Sequence, residues 1–362
     1  MEGQFSPDIL EYELMLNATI FPGMNFSTEN MCKYEDNILP FMFSKTPWLS
    51  HFGAGLAYVL ILQNIIIIRI FLKPKLLSPV SILLSVLALC DTLSVFFWFV
   101  PEHIGAIFHW YNGTAFGIYS MVTASFEQFP FCVFGYWSRN ILSSGFHSSA
   151  IVITTTLGLQ KIMVMVFPLF SKSNLNKKCA VVVSVSILVV CFGLEMPYAF
   201  FFRFSPTNNG GCCKTLRTGH DTVKRFFDSS HYMRSGILIV SIVIQIVTTL
   251  YITSRLTFLR KTLWIESKAV RTRNRRSSVI VIYITMIFIL SELPSVIVSI
   301  SLDLRIASSW MTKTLQYLPL IISLGCFFNF WLYLVMSQRF RKELQVTRNS
   351  WRRRTRSSYI IV

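Results

Sequence analysis

The chain has 362 residues, of which 53% are hydrophobic and only 14% charged, with a mean hydropathy of +0.53; soluble domains carry roughly 25% charged residues. Apolar residues gathered in long blocks exclude a water-soluble globular protein and describe a polytopic membrane protein. The net charge of +17 does not by itself indicate nucleic acid, because charge has to be located before it is interpreted.

Residues 1–47 hold no apolar run long enough to span a bilayer, and no basic start followed by a short apolar core, so no cleaved signal peptide is expected. The acids Glu2, Asp8, Glu11, Glu13, Glu29, Glu35 and Asp36 face only Lys33 and Lys45 there. Two glycosylation sequons, at Asn17 and Asn25, lie in the same segment. Seven apolar blocks follow, at 48–72, 78–102, 136–167, 179–203, 235–258, 278–301 and 314–336, each about long enough to cross. The expected fold is therefore an all-α membrane protein, a seven-transmembrane helix bundle over 48–336 preceded by a glycosylated segment 1–47 and followed by a basic tail 337–362.

Placing the N-terminus outside puts 23 of the 34 lysines and arginines in cytoplasmic loops and tail, opposed there only by Glu266 and Glu343. The positive-inside rule thus predicts N-out and C-in, at the plasma membrane. The third sequon, Asn112-Gly113-Thr114, falls between blocks two and three, also outside in this topology. Cysteines divide by side: Cys32, Cys132, Cys212 and Cys213 lie in or beside outer segments, whereas Cys90, Cys179, Cys191 and Cys326 lie in or at the ends of spans. In an oxidising exterior a bridge from Cys132 to either Cys212 or Cys213 is expected, with Cys32 available to the other.

The third block carries the most informative pattern. Read as a helix, Arg139, Ser143, His147, Ala150, Thr154, Leu157 and Lys161 recur at steps of three and four and share one mostly polar face. That face needs a protein or water neighbour, and at about 1.5 Å per residue the stretch from Arg139 to Lys161 matches a hydrocarbon core of about 30 Å. One cation then sits in each interface.

Several motifs resemble those of rhodopsin-family (class A) G-protein-coupled receptors. They are Gln63-Asn64 in the first span, Leu87-Ala88-Leu89-Cys90-Asp91 in the second, Asn329-Phe330-Trp331-Leu332-Tyr333 in the seventh, and Ser337-Gln338-Arg339-Phe340-Arg341-Lys342-Glu343-Leu344 after it, similar to a short amphipathic eighth helix. Phe146-His147-Ser148-Ser149-Ala150, Gly158-Leu159-Gln160-Lys161 and Leu290-Ser291-Glu292-Leu293-Pro294 resemble invertebrate neuropeptide receptors of the sex-peptide, myosuppressin and FMRFamide type. The chain departs from the wider pattern in four places. Gln160-Lys161-Ile162 replaces Asp-Arg-Tyr, span four lacks its Trp, span five lacks its Pro, and Glu292 stands for the toggle Trp.

The resemblance implies a receptor that binds an extracellular neuropeptide, amidated in the Arg-Phe-amide manner, and activates a heterotrimeric G protein. No cofactor is expected: the family's sodium ion at Asp91 is the alternative to a structural, water-linked Asp91, because Ala150 and Gly325 replace two of the family's polar groups there. Glu102, Arg139 and Glu195, toward the outer ends of their spans, are the expected ligand anchors, or else bridge among themselves. His147 and Glu292 are expected to meet at the pocket floor, as a ligand-sensing pair or as a packing pair. Gln160, Lys161, Asn329 and Tyr333 fall at activation positions, and Asn64 at a structural one. Lys161 keeps a cation without the arginine fork, and Gln160 removes its local ionic restraint, so a weak hold on the inactive state is expected.

The basic third loop and tail suit anionic lipid as well as a G protein. Tyr359-Ile360-Ile361-Val362 suits capture by a PDZ-type domain. No catalytic motif of the hydrolase, metalloprotease or phosphate-loop kind occurs, so no enzymatic activity is expected. The alternative from another class is a seven-span ligand-gated channel or chemoreceptor, which would reverse the topology.

Overall fold

The computed structural model describes residues 47–111, 131–167, 176–206, 212–216, 221–262, 268–303, 309–336 and 340–346. Helices α1 (Pro47–Phe71) and α2 (Pro79–Tyr111) are followed by α3 (Phe131–Trp137), a π-helical turn (Ser138–Ser143) and α4 (Ser144–Val166), which run on as one rod. Then come α5 (Lys177–Phe201), a hairpin of β1 (Phe202–Pro206) and β2 (Cys212–Leu216), α6 (Asp221–Thr262), α7 (Lys268–Asp303) and α8 (Ser309–Met336). Residues 340–346 are also helical.

Five of these rods carry stretches long and apolar enough to cross a membrane: His51–Phe71, Pro79–Pro101, Cys132–Val166, Lys177–Phe200 and Tyr232–Arg255. α7 and α8 hold shorter apolar stretches, Ile282–Val298 and Tyr317–Leu332. The helices overrun the apolar blocks: α6 starts at Asp221 instead of near 235, and the basic run 268–276 is helical instead of loop. The outer segment expected as loop from 203 contains the antiparallel hairpin, with Phe202 opposite Leu216 and Pro206 opposite Cys212.

The packing is a ring with a hub. α1 lies on α2, α6 on α7, α7 on α8, and α8 returns to α1, while α4 touches α2, α5, α6 and α7 from inside. Small residues allow the close approaches. A Cβ at Gly158 would stand 3.0 Å from Thr248 Oγ1 on α6, and one at Gly145 would stand 2.8 Å from the Phe192 ring on α5. Phe146 stacks on Phe97 of α2 and meets the edge of Phe192, tying three helices together. The apolar outside is complementary: Val182, Val189 and Leu250 are all exposed, the kind of surface that lipid covers and water does not.

The π-turn has a physical partner in α2. Pro101 has no N–H, so the carbonyl four residues earlier, Phe97 O, loses its helical donor. Ser138 Oγ donates to that oxygen at 2.6 Å, and Ser143 Oγ donates to Ser94 O at 2.8 Å. A π-turn takes in one extra residue and so rotates what precedes it by about 100° relative to α4. Arg139, inside this turn, lies over the Trp98 ring of α2, 5.7 Å from its centroid. Of the face expected from sequence, Ser143, Ala150, Thr154 and Leu157 are buried in the bundle.

Candidate functional site

The first turns of α4 bring two buried acids into pairing distance of cations. His147 Nε2 stands 3.2 Å from Glu292 Oε2 on α7. Glu292 is 1% exposed, and neither of its oxygens makes a well-directed hydrogen bond among the described residues. At this distance the two form an ion pair whenever the imidazole is protonated. A charge so placed is costly unless compensated, which is why ionisable groups inside apolar bundles mark function.

One turn away, Glu195 of α5 is also 1% exposed and meets Arg234 of α6, with Nε 3.4 Å from Oε1 and Nη1 donating to Oε2 at 3.4 Å. Ser148 Oγ reaches Oε1 at 3.5 Å, and Arg234 Nη2 donates to Ser144 Oγ at 3.3 Å. The Tyr198 phenol is a further neighbour of Arg234. Thus residues 144, 147 and 148, one turn of α4, join α5, α6 and α7 through polar contacts.

Deeper toward α8, Asn329 Nδ2 donates to Asp91 Oδ2 at 3.3 Å, while Asn329 Oδ1 is buried without a described partner. The Cys326 thiol also lies against Asp91. Asp91 and Asn329 supply only part of the roughly six oxygens that a hard cation takes, and a thiol is a soft donor. Among the described residues no group of three His, Cys, Asp or Glu is placed to hold a metal. Asn64 is used elsewhere, its Nδ2 donating to Thr92 Oγ1 at 2.7 Å between α1 and α2.

At the other end of α4, Gln160 is buried with Oε1 lacking a described partner, and Lys161 is half-buried beside it. Glu102 and Tyr333 sit on α2 and α8, but their side chains lie outside the described residues. The same holds for the side chains of Cys212 and Cys213, on β2, and for Asn17, Asn25, Cys32, Asn112 and Val362 altogether. Cys132 is disulfide-bonded, whereas Cys90, Cys179, Cys191 and Cys326 are free thiols.

The structure thus joins His147 to Glu292, and Asp91 to Asn329, but does not join Glu195 to Arg139. The cation on Glu195 is Arg234, which lies just before the fifth apolar block, 235–258. The available signal was its place at the edge of an apolar block with no nearby acid on its own helix face. No protein-family model matches the chain, and no curated protein matches it.

Proposed function

We propose that the chain is a seven-span membrane receptor of the rhodopsin type, with its N-terminus outside, that binds an extracellular peptide and activates a heterotrimeric G protein. The observation that carries this reading is the buried His147–Glu292 pair between the hub helix and α7. A soluble domain or a purely structural bundle gains little from such a pair, because an apolar pair of similar volume is as stable or more so. A signalling bundle needs a polar contact between helices that a ligand can remake.

In this reading α7 and α8, with their shorter apolar stretches, complete seven spans, and 340–346 is the short helix lying along the inner surface. Phe340 is fully buried against Phe71 and Phe330, and Lys73 Nζ donates to Glu343 at 2.8 Å, which supports such docking. The Lys73 ammonium holds the Glu343 carboxyl below the usual carboxylate range. A ligand above His147 shifts α4 against α7, and the change reaches Gln160 and Lys161 at the basic face that meets the G protein. Segment 1–47 is then glycosylated and extracellular, and 347–362 is tail.

Two experiments test the proposal. Enzymatic deglycosylation of the expressed chain is expected to increase its mobility, with the shift lost when Asn17, Asn25 and Asn112 are all changed to Gln. A peptide-library screen in cells reading calcium and cyclic AMP is expected to find agonists. An N-terminal tag accessible only from the cytosol would contradict the topology and the receptor reading with it.

A further inference from the structure

The Glu195–Arg234 contact pairs a closed-off carboxylate with a partly open cation. Glu195 is closed off, at 1% exposure, and the side chain in front of it, Arg234, is 36% exposed. Two guanidinium nitrogens face two carboxylate oxygens, both at 3.4 Å, longer than the roughly 2.7–2.9 Å of a tight charge-assisted pair. The pair therefore has the form of a side-on guanidinium fork without its usual closeness.

Withdrawing Arg234 with nothing in its place would leave a buried carboxylate unpaired, which is strongly unfavourable. Withdrawing it in exchange for another guanidinium would not, since the two oxygens and Ser148 Oγ, 3.5 Å from Oε1, meet the same donors again. Neutral groups and bare ammonium points do not reproduce the fork. The occupant of the site thus defines the chemistry that can replace it.

We infer that Glu195 is the receptor's ligand-binding carboxylate for a guanidinium, an arginine side chain of the peptide, and that Arg234 is a tethered surrogate which this arginine displaces. This rests on the receptor reading above and names the ligand chemistry of its outer site. Displacement detaches α6 from Ser144 on α4 and from Glu195 on α5, so binding loosens the outer end of a helix that runs on to Thr262.

The test uses the full chain in membrane nanodiscs and two labelled pools of amidated hexapeptides, one with arginine fixed at one position and one with citrulline, the neutral urea isostere, in its place. The parent chain is expected to prefer the arginine pool. Arg234→Gln, which removes the competitor, is expected to bind it about tenfold tighter, the worth of one charge-assisted hydrogen bond. Glu195→Gln is expected to lose the preference for arginine over citrulline. If Arg234→Gln is not recovered folded, Arg234→Lys, which keeps the charge but not the fork, is expected to shift affinity the same way by less. Equal or weaker arginine binding in the Arg234 variant, a preference that persists without the Glu195 carboxylate, or no arginine binding by any chain would each overturn the proposal. A merely structural pair would lower the stability of both variants and leave the arginine-to-citrulline ratio alone. Binding is read without a G protein, so an arginine preference with no cellular response would sink the receptor reading and leave this site standing.

Discussion

The two ends of α4 use polar side chains in opposite ways. Near the Arg139 end, Ser144, His147 and Ser148 reach across to α5, α6 and α7. In the half leading to Lys161, Thr154, Thr155 and Thr156 each donate to the carbonyl four residues back, at 2.8–2.9 Å. Hydroxyls that satisfy themselves on their own helix act as small packing groups, and Gln245 Nε2 links across to that half by donating to Thr155 Oγ1 at 3.0 Å and to Ile151 O at 3.3 Å. The lesson is that one end of the rod is wired to its neighbours by charge, and the other packs on them through small surfaces and one amide.

The largest expected effect breaks the wired end. His147→Ala leaves Glu292 buried without its cation, and the thermal stability of purified protein is expected to fall by about 3–5 kcal/mol. The double change His147→Leu with Glu292→Met removes both charges and is expected to be nearly neutral. If the single and double changes cost the same, the pair carries no buried charge.

Next comes the close packing of α7 on α8 beside the wired end. A Cβ at Gly325 would stand 2.7 Å from Ser291 Oγ and 2.8 Å from Ser291 Cβ, so Gly325→Val is expected to cost about 1–3 kcal/mol by pushing α8 off α7. A smaller effect separates two neighbouring threonines. Thr155→Val loses the bond from Gln245, worth about 0.6–1 kcal/mol inside a membrane bundle, whereas Thr154→Val loses only a bond to its own helix and is expected to melt like the parent. Equal losses would erase the distinction between cross-linked and self-satisfied positions.

The smallest effect lies beyond the apolar stretch of α2, at His103, whose Nδ1 meets Tyr58 OH at 3.3 Å. Burial, and then the nearby His51, hold its imidazole below the ordinary 6.5. The folded chain therefore takes up this proton at lower pH than the unfolded chain does, and stability is lost as pH falls below about 6.5. His103→Phe is expected to flatten that part of a melting-temperature profile, and an unchanged acid slope would assign the loss to other groups.

These contrasts also mark what the sequence made legible. The helices were readable because apolar blocks of spanning length leave few alternatives, and the meeting of His147 with Glu292 because each is a lone ionisable group at matched depth beside a helix landmark. Arg234 was hidden for a topological reason: it lies 39 residues from Glu195, and the run before it reads as a charged outer loop although α6 already starts at Asp221. The π-turn at Ser138–Ser143 was not read from sequence, and its partner, the carbonyl orphaned by Pro101, lies on another helix.

The most direct measurement is peptide-evoked dissociation of a heterotrimeric G protein, read by an energy-transfer sensor in intact cells. It compares the parent chain with the His147→Leu, Glu292→Met double variant at matched surface levels. The account predicts dissociation with the parent and its loss in the double variant. Equal dissociation with both, or a peptide-gated current in membranes stripped of heterotrimer, would contradict it.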